Sequence, residues 1–118
     1  MNGFNYAIKN LTIENKFLKK DLFNSNFLQL ALGSLKIGEE IGVQKDELSD
    51  HFIHFEFGIG KCSIGGNVFE VNAGYAMLVP QGINFNIINV SDEHHLKFYN
   101  ISSPPSFIDS IEKKSRDV

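Results

Sequence analysis

A single cysteine, Cys62, and three prolines are spread over 118 residues, and no run of Lys or Arg stands alone. One thiol cannot close an internal disulfide, which agrees with a reducing compartment. A formal net charge of -3 supplies no field that would gather phosphate backbones or anionic lipid, so neither nucleic acid nor a membrane is an expected partner. No stretch is apolar for long enough to span a bilayer. The first residues lack the charged start and continuous apolar run of a secretory signal, so the expected location is the cytoplasm. Glycosylation-like triplets at Asn10, Asn89 and Asn100 then carry no weight.

What is present points to a folded core. Hydrophobic residues make up 42% of the chain, eleven of them Phe, and 21% is charged, an ordinary balance for a globular protein. The length suits one domain over residues 1–118, with a barrel from about 17 to 103 and a short helix from about 106 to 114.

The strongest punctuation lies in Gly74 to Asn89, which reads as strand, tight turn, strand. Pro80 fixes its own φ and cannot donate to a ladder, while Gly82 accepts positive φ; a sharp reversal that sets the register of both strands is expected. Phe17 to Phe23 reads as an edge strand that Lys19 and Lys20 protect from unwanted pairing. In Phe27 to Lys36, Leu28, Leu30 and Leu32 alternate with Gln29, Ala31 and Gly33. Helix competes there, because Leu, Gln and Ala favour it, but Gly33 and Gly38 interrupt the stretch and no cap precedes it.

Ile37 to Asp50 reads as loop or irregular strand, and His51 to Phe57 alternates cleanly, with His51, Ile53, Phe55 and Phe57 on one face. Gly65-Gly66 marks a two-residue hairpin. Leu96 to Ile101 is a last strand, stopped by Pro104-Pro105, and Ser106 can cap the short helix. Short strands at nearly even spacing make the chain all-β, a barrel or a sandwich.

Two spacings carry a resemblance. Gly74, Pro80, Gly82, Phe85 and Asn89 follow the spacing of the second signature motif of the cupin superfamily, which has histidine at the position of Phe85. Gly38, Gln44, Asp46, His51 and Gly58 follow the spacing of the first, with every spacer kept and every ligand replaced. The likeness to small single-domain bacterial cupins runs from Ile41 to Pro105, in pieces such as Asp50-His51-Phe52-Ile53 and Ile101-Ser102-Ser103-Pro104-Pro105. It implies a double-stranded β-helix, the cupin or jelly-roll barrel.

In that family three His and one Glu hold a divalent metal at the positions that match Gln44, Asp46, His51 and Phe85. Phe85 supplies no donor and Gln44 only a neutral oxygen, so no metal and no cofactor is expected. A remnant at Asp46 and His51, completed by water or Gln44, is the alternative. The apparent inward set of Phe55, Phe57, Phe85 and Ile87, with Gln44, Asp46 and His51 to one side, suits a small organic ligand; plain core packing accounts for the aromatics equally well. Binding or a structural role without catalysis is the first functional reading. The second is an enzyme, of a sugar-phosphate isomerase, epimerase or dioxygenase type, or a metal-free one in which His51 acts as base and Asp46 tunes it.

Other signals are weak. Gly58-Ile59-Gly60-Lys61 lacks the spacing of a phosphate loop. His94 and His95 read as a solvated turn, and Cys62 as a small buried hydrophobe. Phe52, His54 and Glu56 lie opposite His51 and read as surface or as the interface of a homodimer, an association common among cupins.

Overall fold

The computed structural model describes residues 3–106. Its elements run α1 (Ile8–Glu14), β1 (Lys19–Asn24), β2 (Gln29–Leu35), β3 (Gln44–Lys45), β4 (Asp50–Phe57), β5 (Ile59–Ile64), β6 (Asn67–Asn72), β7 (Ala76–Val79), β8 (Asn84–Asn89) and β9 (Leu96–Ser103). The strands form two antiparallel sheets, one in the order β1-β2-β9-β4-β7 and the other β3-β8-β5-β6. This is the expected all-β jelly roll. The short helix expected near 106 to 114 lies outside the described residues, except for Ser106 at its start.

Alternation decides what each strand buries. In β4, His51, Ile53 and Phe55 are buried, while Phe52, His54 and Glu56 face outward and are half-buried. Phe57 breaks the expected pattern. The pairing of β4 with β9 shifts between Phe55 and Phe57, and this bulge turns the Phe57 ring out to 39% exposure. In β2 the residues paired with the inward side of β9 are Gln29, Ala31, Gly33 and Leu35, opposite Ser102, Asn100, Phe98 and Leu96. The leucines of the other parity, Leu30 and Leu32, lie on the opposite face, where Leu32 is still only 3% exposed.

Helix α1 had no sequence signal. Its N-cap, Ala7, offers no side-chain hydrogen bond, and its first turn has no acidic residue. Tertiary contacts hold it: α1 packs against β2, β4 and β9, and the Lys97 ammonium donates to the Asn15 carbonyl just past its end. Burial depresses the pKa of Lys97, and Lys16 adds to that. No helix among the described residues is long and apolar enough to cross a membrane.

The segment from Pro80 to Gly82 does something other than expected. β7 pairs with β4 in one sheet, and β8 pairs with β3 and β5 in the other. The turn thus carries the chain between sheets and does not align β7 with β8. It is anchored from outside, where Gly82 N donates to the Asp46 carbonyl at 2.7 Å and Gln81 N to Asp50 Oδ1 at 2.8 Å. A second crossing, from β4 to β5, needs Gly58: its φ is +97°, and a Cβ there would sit 2.6 Å from the His95 carbonyl oxygen. Between β5 and β6 the expected hairpin forms, with Ile64 paired to Asn67 and positive φ at Gly65.

Asn89 ties the sheets together. Its amide nitrogen donates to the carbonyls of Leu35 at 3.0 Å and His94 at 2.9 Å, and its oxygen accepts from Ser91 N at 2.9 Å. Between the sheets lies a core that includes Leu35, Phe55, Cys62, Phe85, Ile87 and Leu96. Cys62 is 1% exposed, and burial pushes its thiol pKa up to about 12.

Candidate functional site

Polar side chains collect at one end of the barrel interior. The loop before β4 folds Asp46 back on itself, so that its Oδ1 accepts from Leu48 N at 3.0 Å and Ser49 N at 3.1 Å. Its Oδ2 accepts from His51 Nε2 at 2.8 Å and from Ser106 Oγ at 2.7 Å. Burial by itself would raise the Asp46 pKa. The hydrogen bonds from His51, Ser106 and Leu48, together with the charge of His51, outweigh it and hold the carboxyl below its ordinary value. Asp46 is thus buried and fully engaged.

His51, on the first inward position of β4, is 2% exposed. Its other ring nitrogen, Nδ1, lies 3.1 Å from Asn100 Oδ1. With Asn100 in this orientation the ring donates from both nitrogens; with the amide turned over, the ring is neutral. In both states Nε2 carries its hydrogen toward Asp46. The Phe85 ring stands beside the imidazole at a centroid distance of 5.5 Å, and Phe85 is 3% exposed. Gln44, its partner across β3 and β8, is equally buried. The Gln44 amide donates to the Ile41 carbonyl at 3.4 Å, while its Oε1, like Ser49 Oγ, has no partner among the described residues.

A cavity opens next to this cluster. His51, Phe85 and Ile87 line it, together with Ala31, Gly33, Ile53, Phe98 and Asn100. It reaches the surface beside Leu18 and Lys19, at the edge strand β1. The closed part is narrow: the space open to the centre of a water molecule is about 20 Å³, room for one or two waters.

Of the six side chains expected to form a pocket, then, His51, Phe85 and Ile87 meet at the cavity. Gln44 and Asp46 lie outside its lining, and Phe55 lies deeper, packed on Phe98 at 5.7 Å. Sequence reasoning missed Asn100, Phe98 and Lys19. The parity of β9 could have signalled the first two; nothing local marks Lys19 as facing inward.

No family model matches the chain. Over 105 residues it is 31% identical to the uncharacterised protein YrkC of Bacillus subtilis, a match covering 84% of this chain and 56% of YrkC. The chain spans somewhat more than half the length of the curated relatives it matches. The crystal structure of BH2720 from Bacillus halodurans superposes with a TM-score of 0.85 at 31% identity, covering 88% of this chain and 83% of that one. The cupin domain of Schizosaccharomyces pombe Cnp3 superposes at 0.70 with 16% identity, over 83% of this chain and 65% of that one, a likeness of fold. The chain has the cupin fold. In this barrel no three His, Cys, Asp or Glu side chains among the described residues come together in a way that could hold a metal ion.

Proposed function

We propose that this cupin works without a metal and binds a small, mostly apolar molecule in the cavity beside His51 and Phe85. The observation that carries this reading is the closed hydrogen bonding of the Asp46–His51 pair. A metal needs free lone pairs, and those of Asp46 are taken by Leu48, Ser49, His51 and Ser106. His51 Nε2 holds a hydrogen toward Asp46, its Nδ1 meets Asn100, and Phe85 offers no donor. The unpartnered Gln44 Oε1 is a single neutral oxygen, too little for a stable site by itself. These residues do not fit the metal that the fold family holds. Apolar walls with a few polar groups fit a small organic molecule instead.

The test is metal analysis of protein purified without chelator, paired with a screen of small organic molecules by chemical-shift perturbation. Less than a tenth of an equivalent of metal and saturable shifts at His51, Phe85 and Ile87 are expected. Near-stoichiometric Fe, Mn, Ni or Zn would reject the reading.

The 2.8 Å contact between His51 and Asp46 also favours a second reading, an enzyme in which Asp46 orients His51 as a general base. The ring must then release Asn100 to free Nδ1 for a substrate. Unchanged turnover in His51→Ala, for any reaction detected, removes this reading.

We further propose that the protein pairs as a homodimer through the outer face of the five-stranded sheet. Leu30, Ile101, Phe52 and Leu78 are successive register partners across β2, β9, β4 and β7, and form an outward apolar row. Leu78, on the edge strand, is 67% exposed. A two-fold axis would lay such a row against its own copy.

A further inference from the structure

We infer that the molecule taken into the cavity is a short-chain monocarboxylate, held by Lys19 and Asn100 with its hydrocarbon tail toward Phe85 and Phe98. This rests on the cavity-binding reading above and names the chemical class it selects. Lys19 pairs with Gly33, and Gly33 faces the cavity, so the Lys19 side chain is directed to the same side of the sheet. Although β1 is an edge strand, that side chain is only 13% exposed. A lysine that merely guards an edge keeps its length in water. The one counter-charge to Lys19 among the described residues is Asp21 Oδ1 at 3.9 Å, on a side chain 47% exposed. That pair sits at the outer limit of an ion pair, with its carboxylate half in water, and holds the ammonium weakly.

Asn100 supplies the second contact. It follows Lys19 inward by one position of the alternating face, since Ala31, its partner on β2, is two residues from Gly33. Asn100 lines the cavity, and in the orientation in which its Oδ1 meets His51 Nδ1 its amide nitrogen is left as a donor. The polar groups that the cavity offers are then hydrogen-bond donors, one of them cationic. An occupant must bring acceptors and negative charge, and a carboxylate brings two oxygens to meet two donors. Phosphate, with more charged oxygens, would find too few partners. The apolar walls and the narrow closed part limit the remainder to a few carbon atoms.

The experiment titrates the full chain with butyrate and, separately, with the neutral isostere butyramide, following the Asn100 side-chain amide and the Phe98 ring by NMR. Butyrate is expected to give saturable shifts at both and to bind roughly tenfold more tightly than butyramide. Lys19→Met should weaken butyrate by roughly tenfold and butyramide by much less, and Asp21→Asn should tighten butyrate severalfold. Both changes lie at the rim, and an unchanged amide fingerprint certifies the fold. Equal binding of acid and amide, or butyrate binding indifferent to Lys19→Met, overturns the carboxylate assignment and leaves cavity binding standing. No shift with either molecule overturns the carboxylate assignment; shifts with other compounds of the screen would still uphold the wider reading.

Discussion

His51 Nε2 meets Asp46 Oδ2 at 2.8 Å inside the barrel, with the two side chains 2% and 7% exposed. The contact joins the loop before β4 to the first inward position of that strand, and Ser106 and Asn100 extend it on either side. A carboxylate held in this way loses much when its charge is removed. Asp46→Asn should cost about 3 kcal/mol at neutral pH.

The same contact sets a pH dependence. The folded-state pKa of Asp46 lies below its ordinary value of 3.8, so the stability it adds is complete above that value and is lost as pH falls through the lower, folded one. Urea unfolding across the acid range should show this loss in the native protein and a flatter profile in Asp46→Asn. Parallel profiles for the two proteins would contradict the assignment.

Gly33 leaves the space that the Phe98 ring fills. A Cβ at Gly33 would lie 2.3 Å from Phe98 Cε2, and that ring is already packed on Phe55. Gly33→Ala should therefore destabilise by about 1–3 kcal/mol. Most of that cost should vanish in the background of Phe98→Leu, which a double-mutant cycle of unfolding free energies measures directly.

The outward row ending at Leu78 gives the dimer its own test. Light scattering of the native protein should return twice the chain mass, and Leu78→Glu should return the chain mass with an unchanged circular dichroism spectrum. A monomeric native protein at high micromolar concentration is the result that counts against pairing.

Cys62 should be chemically silent while the protein is folded. With its thiol pushed up to about 12 by burial, almost no thiolate exists at pH 8 to attack a disulfide reagent. Aromatic disulfide reagents should label it only after denaturant is added. Rapid labelling of the native protein would show that the core opens around β5.

The fold was legible because glycines, prolines and alternation all act locally. Gly65 makes its hairpin, the parity of His51, Ile53 and Phe55 fixes the buried face of β4, and Pro104 follows the last strand. What could not be read depends on distant partners. Helix α1 forms without start signals because Lys97 and the outer face of the sheet receive it. Phe57 turns outward because β4 carries one more residue than β9 between two successive pairs, and only the pairing shows where that bulge falls. Pro80 and Gly82 mark a turn equally well within one sheet or between two, and only the pairing of β7 and β8 with other strands decides.

The site divides in the same way. Spacing brought His51, Phe85 and Asp46 to attention, and the cavity does lie beside them. Its entrance is set by which strand ends the sheet, a property of topology, and Lys19 becomes a lining residue only because Gly33 is its neighbour.

β9 occupies the middle of the larger sheet, bonded on one flank to β2 and on the other to β4. During synthesis both of those strands emerge first, each with an open side, and neither can be completed by anything made before residues 96–103. Closure of the barrel therefore waits on translation, and until that segment clears the ribosome the nascent chain presents two bare strand edges that a chaperone would have reason to shield.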